Sequence, residues 1–102
     1  MSDIIEARKA VVKRILEGDG AATQAQRRAA FDNAGLPEPA RALVDKVVHD
    51  AHTVRDEDIA AVRESGLTED QIFEVVVCAA VGQATHQYEA AIAALDAAAR
   101  KE

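Results

Sequence analysis

Cysteine is nearly absent: Cys78 is the only one in the chain. A lone cysteine excludes an internal disulfide and any Cys-x-x-Cys redox pair. Tryptophan is missing, and the aromatic residues are Phe31, Phe73 and Tyr88. The core must therefore be built from Ala, Val, Ile and Leu, which let helices approach closely but bury little area each. That shortage makes self-association a plausible source of extra stability. Cations are also scarce, with 12 Lys and Arg against 18 Asp and Glu, a net charge of −6 and a pI near 5.0. A nucleic-acid surface needs clustered cations to neutralise phosphates, and Arg27-Arg28 is the only adjacent arginine pair. The same balance disfavours an anionic membrane surface. No segment reaches the ~20 apolar residues of a membrane span. The start, "MSDIIEARKA", lacks the apolar run of a signal peptide, so a cytoplasmic protein is expected.

What is present is an ordinary globular balance, 49% hydrophobic and 29% charged, in 102 residues. That is one domain, spanning 1–102, burying roughly 65% of the surface of its unfolded chain. No segment alternates as a strand does, so the expected class is all-α: a compact bundle of about five helices. The first runs from about Asp3 to Glu17, with Ser2 as N-cap and Ile4, Ile5, Val11, Val12, Ile15 and Leu16 as its apolar stripe. The second starts at a capping box of Thr23 and Gln26 and runs to about Asn33, with Gly35 placed as C-cap. The third starts near Pro39 and ends between His52 and Val54. Asp56 to Glu64 forms a short fourth helix with acids at its positive end. Thr68 and Gln71 form a second capping box, with Leu67 and Ile72 as a staple. The last helix then runs to about Ala99, bending near Gly82. It is apolar almost all round from Ile72 to Val81, which predicts a central, buried helix.

The densest polar segment is "VVHDAHTVRDED", Val47 to Asp58. Asp45, His49 and His52 fall at i, i+4 and i+7, on one face of a regular helix. The spacing suits a proton relay or two imidazoles and a carboxylate on a metal, but no fourth ligand lies near. The other reading is a solvated or intersubunit polar face. His86 and Gln83, three apart on the last helix, share a face; Tyr88 falls on the apolar line of Phe73, Val77, Val81 and Ala84. Glu74, Gln83, His86 and the two histidines of the third helix are the candidate polar lining of any pocket. Cys78, inside "VVVCAAV", reads as core. Asp56–Glu57–Asp58 lacks the spacing and turn glycine of a calcium loop. No cofactor and no metal is expected.

Leu43 to Leu95 resembles the carboxymuconolactone decarboxylase family, which includes the alkylhydroperoxidase D-like proteins. The matching stretch is "VRDEDIAAVRESGLTEDQIFEVVVCAAVGQAT": an acidic-capped short helix, a Gly-Leu-Thr turn and a long Ala/Val helix. The resemblance implies a helical bundle assembled into trimers or hexamers. Its peroxidase branch uses a Glu, a Cys-x-x-Cys pair and a nearby His. With His52 set on that His, the cysteine positions fall on Asp45 and Val48, so disulfide-based peroxide reduction does not carry over. Two roles follow. One is cofactor-free acid–base chemistry on a small organic molecule, with His49, His52 or His86 as catalytic groups and Asp45, Glu74 and Gln83 binding the ligand. The other is a non-catalytic oligomeric scaffold or small-ligand-binding protein of the same fold. Convergence of His49 or His52 with His86 on a concave pocket would separate them.

Overall fold

The structure, a computed structural model, describes residues 2–100, with the side chain of Ser2 outside that description. Five α-helices follow one another: α1 (Ser2–Glu17), α2 (Gln24–Asp32), α3 (Ala40–Asp50), α4 (Asp56–Glu64) and α5 (Glu69–Arg100). A single 3-10 turn, Ala51–Thr53, follows α3. The described residues contain no strand.

The helix ends are set by local chemistry. At α2 the Thr23 hydroxyl accepts from the Gln26 amide at 3.0 Å, and Gln26 Oε1 accepts from the Thr23 amide at 2.9 Å. The same reciprocal pair opens α5, between Thr68 and Gln71, at 3.1 and 2.8 Å. Each pair satisfies two amides that have no partner inside the helix. Asp58 accepts from the Arg55 amide at the start of α4 and holds Lys46 Nζ of α3 at 2.9 Å. The end of α2 departs from expectation. α2 is closed by Asn33 in the left-handed region (φ 50°), not by Gly35, which lies two residues further on at φ 98°. Asparagine is the other residue type that enters this region readily. The capping role expected of the Ser2 side chain lies outside the described residues.

The N-terminal half of α5 is central and separates two apolar clusters. One joins Ala22, Ala30, Leu36, Val44, Val75, Cys78 and Ala79. The other joins Ala40, Leu43, Val62 and Ile72, with Leu67 packed against it. Val47 of α3 touches both. α2 approaches α5 through small residues: Ala30 and Ala79 are fully buried, and Gly82 lies against the backbone of Phe31.

The burial expected of α5 from Ile72 to Val81 is incomplete within one chain, and other apolar residues of α5 and α1 are exposed as well. On α5, Phe73 is 69% exposed and Leu95 65%. On α1, Leu16 is buried, but Ile4 is 59% exposed and Val11 56%. α1 is held at its C-terminal end by Arg27 and by packing on Cys78, and near its start by Arg8 over the Tyr88 ring. Beyond Tyr88, α5 projects from the bundle with every residue from Glu89 to Arg100 exposed. At 1.5 Å per residue, 32 residues span about 48 Å. That projection accounts for the extents of 55 × 28 × 20 Å. The radius of gyration, 15.6 Å, exceeds the ~13 Å of a compact chain of about 100 residues.

Candidate functional site

The polar candidates do not gather in one place. α3 ends at Asp50, whose backbone turns to φ −159°, ψ 60°, and the following 3-10 turn carries His52 off the α3 face. The expected alignment of Asp45, His49 and His52 is broken there. His52 Nδ1 instead lies 2.9 Å from Asp50 Oδ1, and its side chain is 85% exposed. His49 Nε2 lies 3.5 Å from Asp45 Oδ1. The same oxygen accepts from Asn33 Nδ2 at 3.2 Å, so Asp45 ties α3 to the end of α2.

His86 sits on the other side of that end. Its Nε2 lies 3.6 Å from Asp32 Oδ1 and its Nδ1 3.9 Å from Glu89 Oε1. Its ring meets Phe31 edge-on, with centroids 5.5 Å apart and planes at 70°. No carboxylate is shared between two histidines: His49 faces Asp45, His52 faces Asp50, and His86 faces Asp32 and Glu89. Among the described residues no group of three or more His, Cys, Asp or Glu side chains is placed to hold a metal.

Glu74 has a definite task, and it is architectural. Its two carboxylate oxygens accept from the Ala21 and Ala22 amides at 2.8 and 2.9 Å, pinning the α1–α2 loop to α5. Those two amides hold its carboxyl below the usual carboxylate range; the nearby Arg27 charge acts the same way. Gln83 is half-buried on α5, one residue past Gly82. Cys78 is buried, with Sγ 4.0 Å from the Ile15 carbonyl. Burial pushes its thiol up, away from the thiolate a nucleophile needs.

Two features were not singled out from the sequence. Arg27 is the one buried charged residue among those described, and its Nη1 donates to the carbonyls of Ile15 (3.1 Å) and Gly18 (2.7 Å) at the end of α1. A cation on those carbonyls satisfies unpaired acceptors and complements the helix dipole. The signal was present, since Arg27 shares the spacing of Ala30 and Phe31 on the inward face of α2. The second is the pair Arg8–Tyr88, with the guanidinium 4.0 Å from the ring centroid. Tyr88 is half-buried as expected, but beneath a cation of α1.

A mostly polar cleft of about 490 Å³, lined by Asn33, Arg41 and Asp45, lies at the α2–α3 connection; the apolar departures from a finished surface lie on α1 and α5. On the outer flank of the α1–α5 contact, a shallow cleft of about 360 Å³ is lined by Ile4, Val11, Val12, Val81 and Ala84, among others. It meets a second cleft, of about 300 Å³, at Val11, where Ile15, Phe73 and Val77 continue the apolar wall. The two form one open strip along both helices. No histidine lines either.

Among known proteins, no family model, no curated protein and no solved structure matches this chain.

Proposed function

We propose that this chain is a carboxymuconolactone decarboxylase-like helical homo-oligomer that works as an assembly and small-ligand-binding protein rather than by histidine chemistry. The observation that supports assembly is the open strip along α1 and α5, with Ile4, Val11 and Phe73 each more than half exposed. Contiguous apolar surface of this kind marks an interaction site in a soluble protein. A second copy, carrying the same strip, suits a chain short of aromatic core residues. The resemblance implies trimers or hexamers, and a cytoplasmic setting belongs to the same reading.

The histidine geometry supports the non-catalytic role. Acid–base catalysis needs a base within hydrogen-bond reach of substrate at a concave site. Within one chain, His49, His52 and His86 sit on separate carboxylates with half or more of each side chain exposed, apart from His86 at 49%. Sedimentation equilibrium at micromolar concentration tests the assembly. A multiple of the 10.9 kDa chain mass is expected, and the single-chain mass would refute it.

A further inference from the structure

A third cleft lies on the inner flank of α1, where that helix meets α2 and α5. Its volume is about 360 Å³, at the lower end of the ~300–1,000 Å³ typical of small-molecule sites. Ile5, Val12 and Leu16 of α1 and Tyr88 of α5 supply its apolar walls. Its charge is the reverse of the molecule's. Arg8, Lys9 and Lys13 of α1 and Arg28 of α2 line it, against only Glu17 and Glu89, in a chain of net charge −6. Two helices contribute those cations, so the cluster is more than the polar flank of one of them. None of the four makes an ion pair among the described residues. Arg8 is stacked on Tyr88 at the cleft. An arginine held by its face on a ring keeps its in-plane N–H groups for paired donation to a carboxylate.

We propose that this cleft binds a small organic carboxylate with a flat or branched apolar body. The body replaces water against Ile5, Val12, Leu16 and Tyr88, and the carboxylate takes the unpaired cations at the rim. Apolar walls lower the local dielectric and strengthen that attraction. The inference rests on the ligand-binding half of the function proposed above; the cleft adjoins the apolar strip at Arg8, Val12 and Thr85, so binding and assembly are measured separately.

The test is a titration of the isotope-labelled full chain with naphthoate, followed by the amide shifts of Ile5, Leu16, Glu17 and Tyr88, which line this cleft and not the apolar strip. Saturable shifts are expected at these residues, with a Kd of about 1 mM or tighter. Naphthalenemethanol, the neutral counterpart, is expected to bind at least about tenfold more weakly, a gap that narrows as salt rises. The double variant Lys9→Glu, Lys13→Glu is expected to lose about tenfold or more. Arg28→Gln provides the same check with a single change on a different helix, should the double variant fail to fold.

Absence of saturable shifts at the cleft would overturn the proposal. So would equal affinity for the alcohol, unchanged affinity in the folded charge variants, or equal shifts from inorganic phosphate, which would mark a bare cationic patch. The assembly mass, read in the same samples, keeps the two proposals apart. An oligomer indifferent to naphthoate overturns the cleft alone, and a single chain that binds it overturns the assembly alone.

Discussion

Gly82 of α5 lies directly against the backbone of Phe31 at the end of α2. A methyl group on Gly82 would stand 2.7 Å from the Phe31 carbonyl carbon and 2.8 Å from its Cα. The obstacle is backbone, which cannot swing away as a side-chain tip can. At an exposed helical site, Gly→Ala would instead gain roughly 0.5–1 kcal/mol.

Gly82→Ala is therefore expected to destabilise, by about 1–3 kcal/mol, the usual cost of an overpacked contact. For a domain of this size each kcal/mol shifts Tm by roughly 4–8 °C. Gly82→Val should be worse and should part α2 from α5. A thermal melt checks both, and a midpoint that rises in Gly82→Ala would mean the two helices do not meet as described.

The Glu74 contacts predict a role in holding the loop before α2. Glu74→Gln keeps one acceptor and loses the charge, so one of the Ala21 and Ala22 amides loses its partner. A loss of about 1–3 kcal/mol is expected in denaturant unfolding. Hydrogen exchange should rise at Ala21 and Ala22 before it rises in α5. Equal protection in variant and native protein would show that the carboxylate is not what pins the loop.

Two carboxylates give stability a pH dependence of known sign. Asp58 is held below the usual carboxylate range by the Lys46 ammonium and then by the Arg55 amide, and Glu74 by the Ala21 and Ala22 amides. A depressed folded pKa contributes stability that is complete above the unfolded values, about 3.9 for Asp and 4.3 for Glu, and is lost as pH falls through the folded values. Unfolding free energy is expected to be flat in these groups above about pH 5 and to drop below about pH 4. Lys46→Met and Glu74→Gln should each make that drop shallower. Urea titrations at several pH values check the slope, and an unchanged slope in both variants would remove these groups from the account.

Cys78 is expected to be inert in the folded chain. It is 1% exposed, and its thiol is pushed up by burial and, to a smaller extent, by the Glu74 charge, against a lowering by Arg27. A thiol reagent at mildly alkaline pH should label it at the rate of protein unfolding, and peroxide turnover should stay at background with or without Cys78→Ala. Rapid stoichiometric labelling of the folded chain would place the thiol at a surface.

Much of the fold was legible because its signals are short-range. The capping boxes of α2 and α5 depend on residues three apart, and α4 begins and ends at the expected Asp56 and Glu64. A glycine inside an apolar helical run marked Gly82 as the place of a bend, and the structure sets it against the backbone of Phe31. What escaped depends on partners distant in sequence. Nothing local announces that Glu74, which does line the cleft beside Phe73 and Val77, also accepts from amides 52 and 53 residues away. The register of His52 was lost to one irregular residue, Asp50. The α1 stripe was read correctly as apolar, but periodicity reports which face is apolar and not what covers it.

That cover is the central claim. Phe73 tests it most directly, because its side chain is 69% exposed in one chain and its replacement removes little from either core cluster. Light scattering should give native protein a multiple of the 10.9 kDa chain mass. Phe73→Lys is expected to shift the population toward single chains at the same concentration, with helical content retained. A native mass of one chain, or an assembly that Phe73→Lys leaves intact, would contradict the account.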